Sequence, residues 1–290
     1  MTRAGSGWNM RWLAPILTLV ASAILFYPPP VAASNPVSIL ISNVRDTSFV
    51  VTWLTPVDEA GQVQLVGGPV FQDDRGAEFK GKTHYITVSG LAVNTPYRFD
   101  ILSGGSRYDG EHAHYAVITG ATLAPPTPDL IVGRVRNPDG TNAADAIVIF
   151  TVQQEQQVSA PMSMVLTSRD GGFFHINLSD ARIQGDPTRY FAYGSQTDLL
   201  TIQAASGRGL GSVRLPVGDT RLRTLNPSQT IVIDLSSGAQ TPTLVERLPT
   251  PTPIPSAPPQ ETEGLVVGVA VAALVVVGII IIALLYVWQR

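Results

Sequence analysis

The sequence predicts an all-β protein of two β-sandwich domains in tandem, followed by one C-terminal transmembrane α-helix. Three observations predict it. Short runs rich in Val, Ile, Thr, Phe and Tyr recur between turn residues across 35–122 and again across 127–236, the rhythm of sandwich strands. The 26 Gly and 23 Pro interrupt long helical periods. Gly264 to Val287 carries no charged or strongly polar side chain, and at about 1.5 Å per residue that stretch outruns the ~30 Å hydrocarbon layer of a bilayer.

Composition sets the outer limits. Of 290 residues, 14% are charged and 44% hydrophobic, and mean hydropathy is +0.19, so part of the chain is expected in a membrane. There is no Cys, which excludes a disulfide framework, a thiolate metal site, a cysteine nucleophile and an acylated lipoprotein cysteine. The formal net charge is -3 and no basic face is clustered, so nucleic acid is not an expected partner.

The elements follow in chain order. Arg3 and Arg11 precede the uncharged stretch Trp12 to Tyr27, and Val31 and Ala33 place small residues at the -3 and -1 positions of a cut after Ala33. Residues 1–33 therefore read as a secretory signal peptide. Uncut, the same stretch is an anchor with its N-terminus inside; Met10 is an alternative start that leaves the signal intact.

From Asn35 to Thr122 the candidate strands are Val37 to Ile41, Phe49 to Leu54, Val63 to Val66, His84 to Val88, Tyr97 to Leu102 and His114 to Thr119. The run from Ile41 to Trp53 resembles the first two strands of a fibronectin type III domain, with Trp53 as the core tryptophan. Leu91, Thr95 and Tyr97 resemble that family's tyrosine corner, although Val93 stands where Pro is usual. The resemblance implies a structural core role for Trp53, Leu91 and Tyr97. On physical grounds Trp53 suits an inter-sheet core, and Tyr97 suits burial with its hydroxyl bonded back to the preceding loop.

After the linker Ala124 to Pro128, Leu130 to Val135, Asn137-Pro138-Asp139-Gly140, Ala143 to Ile149 and Thr167 to Phe174 follow in order. This order resembles the carboxypeptidase regulatory-like domain, a transthyretin-like sandwich, over 127–236. The last strands are expected at Leu199 to Ala204, Gly211 to Pro216 and Thr230 to Leu235. Both domains are thus expected to be Ig-like β-sandwiches. Gly140 and Gly171 accept positive φ after Asp139 and Asp170, so each Asp-Gly pair reads as a hairpin turn. Asn137, Asp139 and Asn142 lack the ligand spacing of a helix-loop-helix calcium site. Residues 127–236 contain no Lys, which excludes a Lys-to-Asn isopeptide cross-link.

Reactive groups are sparse. The four His are His84, His112, His114 and His175. His112 and His114, two apart on a strand, would share a face and bind a transition metal only weakly, even with Asp109 or Glu111; an exposed loop end is the expected reading. Asp73 and Asp74 read as a solvated turn, and Gly207 to Gly211 as a flexible loop. No hydrolase, nucleotide or dinucleotide motif occurs, so the expectation is no enzyme, no cofactor and no metal site.

Residues 240–263 repeat Thr-Pro and Pro-Pro, which favours an extended proline-rich stalk. Residues 264–287 form the expected span, and Tyr286, Trp288 and Arg290 favour a cytoplasmic C-terminus, leaving 34–263 extracellular. Gly264, Gly268 and Ala272 form a small-residue row suited to helix-mediated self-association. The expected whole is a single-pass protein of the cell membrane at a bacterial surface. Its sandwiches are expected to bind an extracellular protein or polysaccharide, with Phe71, Tyr108 and Tyr115 as ligand-loop aromatics. The alternative is a structural spacer or accessory subunit that positions a membrane partner.

Overall fold

The computed structural model describes residues 35–194 and 197–237. The signal peptide, stalk and transmembrane helix expected at 1–33, 240–263 and 264–287 lie outside the described residues. Among the described residues no helix is long and apolar enough to cross a membrane.

The first sandwich contains β1 (Val37–Ser42), β2 (Ser48–Glu59), β3 (Gly61–Leu65), β4 (Val70–Gln72), β5 (Gly81–Ser89), β6 (Pro96–Ser103), β7 (Ser106–Tyr108) and β8 (Tyr115–Ile118). One sheet runs β1-β2-β5; the other runs β4-β3-β6-β7, with β8 also paired to β6. Every pairing is antiparallel. Phe49, Val51, Trp53, Val63, Ile86, Val88, Phe99 and Ile101 are all 0% exposed between the sheets. Each such side chain contributes roughly 1.5–3 kcal/mol by leaving water.

The second sandwich contains β9 (Leu130–Arg136), β10 (Ile147–Gln154), β11 (Gln157–Val158), β12 (Met162–Val165), β13 (Phe173–Asn177), β14 (Arg182–Ile183), β15 (Asp186–Tyr190), β16 (Leu199–Ser206), β17 (Gly209–Pro216) and β18 (Val232–Asp234). One sheet runs β11-β10-β16-β17, with β12 also on β10; the other runs β13-β9-β18. β18 lies parallel to β9. Phe150 and Phe174 meet edge to face across the core, their centroids 5.4 Å apart.

The two sandwiches pack on each other through sheet faces. In β2, Phe49, Val51 and Trp53 point into the first core, while Val50 points the other way. In β10, Val148, Phe150 and Val152 enter the second core, while Ile147 and Ile149 point away. Val50, Leu40, Tyr85, Ile147 and Ile149 form a third apolar cluster between the domains. Burying five such side chains stabilises the pair by several kcal/mol on the same area scale, so they form one body and not beads on the Ala124 to Pro128 linker.

Short strands absent from the sequence pattern complete the sheets, β4, β7, β11 and β12, and two more, β14 and β15, pair with each other as a separate two-stranded sheet. The Asp139-Gly140 turn is closed by Gly140 N donating to Asn137 O (2.8 Å), with Gly140 at φ 80°, and the bridge Arg136 to Asn142 spans it. Asp170-Gly171 differs from the hairpin expected of it. It joins β12, which pairs with β10, to β13, which pairs with β9, and so crosses between sheets. Gly171 ends a short 3-10 turn at φ 58°, closed by Thr167 and Asp170. The glycine run Gly207 to Gly211 is an ordered β16–β17 turn and strand entry, with Ser206 opposite Gly209.

Candidate functional site

Of the residues expected to be structural, Trp53 is fully buried, with its Nε1 donating to Ser103 Oγ at 3.0 Å, and Leu91 is buried. Tyr97 is half-buried, and its hydroxyl accepts a hydrogen bond from Ala92 N at 2.8 Å. The three ligand-loop aromatics stand elsewhere than expected. Phe71 lies on β4, Tyr108 on β7 and Tyr115 on β8, and all three pack half-buried against the first core. Tyr115 stacks on Phe99 at 5.5 Å, and burial raises its phenol pKa, helped by Asp109 and Asp100. They brace a sheet and present no aromatic loop, because a ring beside a sheet edge gains more by covering core than by facing water.

His112 and His114 do not share a strand face. Glu111, His112 and His114 have positive φ and form a tight loop after Gly110. The turn sends His112 Nδ1 to Asp109 Oδ2 (3.1 Å) and His114 Nδ1 to the fully buried Asp100 Oδ1 (2.7 Å), so the rings diverge. Among the described residues no group of three or more His, Asp or Glu is placed to hold a metal ion.

Asp73 and Asp74 do open a turn, closed by Gly76 N donating to Asp73 O (2.9 Å), and Asp74 is exposed, but Asp73 is not solvated. Asp73 is 4% exposed, pairs with Arg75 Nε (2.8 Å) and accepts from Tyr85 N (3.1 Å). Asp74 accepts from Thr87 N (2.8 Å), its own N–H meets Tyr85 O (3.0 Å), and Arg75 Nη2 donates to Thr83 O. Together the three side chains cap the outer edge of β5. Arg75 also lies 3.6 Å over the Phe79 ring and reaches Asp145 of the second sandwich at 3.5 Å.

The site that the fold builds lies where the sandwiches meet. A cleft of about 420 Å³ is lined by Asn43 to Arg45 of the first sandwich and, in the second, by β12, His175 to Asn177 of β13, Asp180 and Arg182. Asn43, at φ 49°, tolerates the left-handed turn after β1 and aims its carboxamide at β12. Its Oδ1 accepts from Ser163 N (2.9 Å) and its Nδ2 donates to Ser163 O (2.8 Å), in place of a missing strand. Tyr85 Oη donates to the same carbonyl at 2.9 Å, and burial pushes the Tyr85 phenol up to about 12. Arg45 pairs with Asp180 across the cleft at 2.9 Å. Arg182 donates to the carbonyls of Ala121 and Pro187, and burial lowers its pKa. Gly120 makes this approach possible, since a Cβ there would collide with Pro187 O and Arg182. The cleft offers guanidinium, carboxylate, imidazole, amide and thioether groups.

Asn43, Ser163, Arg182 and His175 were not legible as a site. Asn43 lies in the run Ile41 to Trp53 with nothing there to mark it as a site residue, and β12 has only four residues. The apolar runs Phe49 to Leu54, broken only by Thr52, and Ala146 to Phe150 did carry a signal, because a strand apolar at nearly every position is buried on both faces.

The described chain is an all-β protein of β-sandwiches, three strands facing a larger antiparallel sheet in the first domain. No protein-family profile matches the sequence, and no curated protein matches it. Among solved structures, the crystal structure of chicken CNTN1 FN1-FN3 domains is similar at 14% identity with a TM-score of 0.22. The match covers 63% of this chain, which spans 65% of that one.

Proposed function

We propose that this is a single-pass cell-surface protein of bacterial type whose paired sandwiches form one non-catalytic binding or adhesion module for an extracellular protein or polysaccharide. The observation that carries the reading is the cleft between the sandwiches, held open by an apolar interface and lined by Arg45, Arg182 and His175. A recognition surface built from rigid elements loses little ordering entropy on binding. In this reading the first sandwich is a fibronectin type III domain and the second a carboxypeptidase regulatory-like one. Residues 1–33 direct secretion, 240–263 form the stalk, and 264–287 anchor the chain.

The test is retention of a defined protein or glycan from native membranes and wall material by the immobilised full-length chain, at low and high salt. Saturable retention lost on Arg45→Glu supports the module. The apolar contact between the sandwiches suits one alternative, a spacer or accessory subunit acting through its C-terminal segment. Retention that needs only residues 264–287 and ignores Arg45 would establish that alternative.

A further inference from the structure

We propose that the outer edge of β13 accepts an extended peptide by strand addition, and that the peptide presents a carboxylate to Arg45 and Arg182. The proposal rests on the binding reading above and gives that module a place and a ligand class. In the antiparallel β9–β13 pair, Val135 N donates to Gly172 O and Leu178 N donates to Asp129 O, so the even-numbered residues of β13 face β9. By the alternation of such a ladder, Phe173, His175 and Asn177 turn their N–H and C=O groups outward. β13 pairs only with β9 among the described residues.

Three other edges are closed at least in part. Asp73, Asp74 and Arg75 cap β5, and Asn43 with Tyr85 caps β12 at Ser163. Leu210 of β17 exchanges backbone hydrogen bonds with Ser236, and Pro216 ends that strand without a donor. Proteins blunt free edges because an open ladder pairs with any passing strand. Here a five-residue edge with no further strand on it, among the described residues, lines a cleft.

The lining specifies the guest. Arg45 and Arg182 face a single lining carboxylate, Asp180, which pairs with Arg45, and the Arg182 guanidinium donates to neutral carbonyls. The cleft therefore carries surplus positive charge. Leu130, 54% exposed, and the half-buried Met164 and Ile176 offer apolar contact beside it. An extended segment alternating acidic and apolar side chains fits both features, with main-chain bonds supplying affinity and alternate side chains specificity.

The probe is a labelled peptide, Glu-Val-Thr-Val-Glu, titrated into the full-length protein by fluorescence anisotropy, beside a copy N-methylated at alternate residues and a copy with Lys for Glu. Saturable binding is expected, weakened at least tenfold by N-methylation and severalfold by the Lys exchange or by Arg45→Ala. Exchange of the His175 amide should slow on saturation. His175→Pro, which removes an outward donor without touching the β9 ladder, should abolish binding. If that variant misfolds, the N-methylated peptide decides alone. Equal affinity for the methylated peptide, no saturation at millimolar concentration, or unchanged exchange at His175 overturns the proposal. Retention of a native partner that survives saturating peptide overturns the edge as its site and leaves the binding reading standing.

Discussion

His84 is the residue whose environment most contradicts its chemistry. It is 0% exposed on β5, stacked on Trp53 at 4.8 Å, with Nε2 3.2 Å from Thr55 Oγ1. Its Nδ1 has no hydrogen-bond partner. Burial lowers its pKa from 6.5 to about 4, outweighing Asp73 and Glu59, which favour the charged ring, while Arg75 opposes it. The unfolded chain therefore binds a proton that the folded chain refuses. Stability from this group is complete above about pH 6.5 and is lost as pH falls towards 4, by about 3 kcal/mol in all. Urea melts at pH 7.5 and 4.5 should show that loss in the native protein and a much smaller one in His84→Gln. The sequence showed a strand at His84 to Val88 but not which face His84 took. A polar residue at the start of a mixed run is consistent with either face, and the Trp53 ring and Gly61 that enclose it come from β2 and β3.

At the scale of elements, the side chains that end strand pairing matter as much as the strands. Asn43 holds both backbone groups of Ser163, and only the carbonyl has a second donor, Tyr85. Asn43→Ala should cost about 1–3 kcal/mol, the penalty of leaving a buried donor unmet, with an added cost from the left-handed backbone. Asn43→Gly relieves the backbone cost and should fall between Ala and the native chain in denaturant midpoint. Most long strands were legible from β-rich runs, since those runs also alternate towards a core. The short β4, β7 and β12 were not, because three or four residues carry too little pattern. Asp170-Gly171 was misread for a related reason. Turn chemistry fixes the local reversal but says nothing about which sheet receives the next strand.

Across the whole molecule, the apolar seam makes the two sandwiches share a fate. Ile149, 2% exposed, faces the first sandwich from β10. Ile149→Glu buries an unpaired charge at the seam, and calorimetry should resolve two unfolding transitions where the native protein gives one. One transition in both would mean that the seam does not couple the domains. The seam was foreshadowed by the largely apolar stretches Phe49 to Leu54 in β2 and Ala146 to Phe150 leading into β10, which a one-faced sheet has no use for. The cleft beside it was not, because it depends on loops at residues 43–45 and 180–182 that come together only once the sheets have docked.

The parallel pair β9–β18 adds a mechanical consequence. β9 receives the chain from the first sandwich, and β18 hands it on towards the C-terminus. Tension between those two ends drags the neighbouring strands lengthwise in opposite directions, so the rungs between them carry the load together instead of unzipping singly. A ligand gripped at the first sandwich would be held by the strand pairing at its strongest angle.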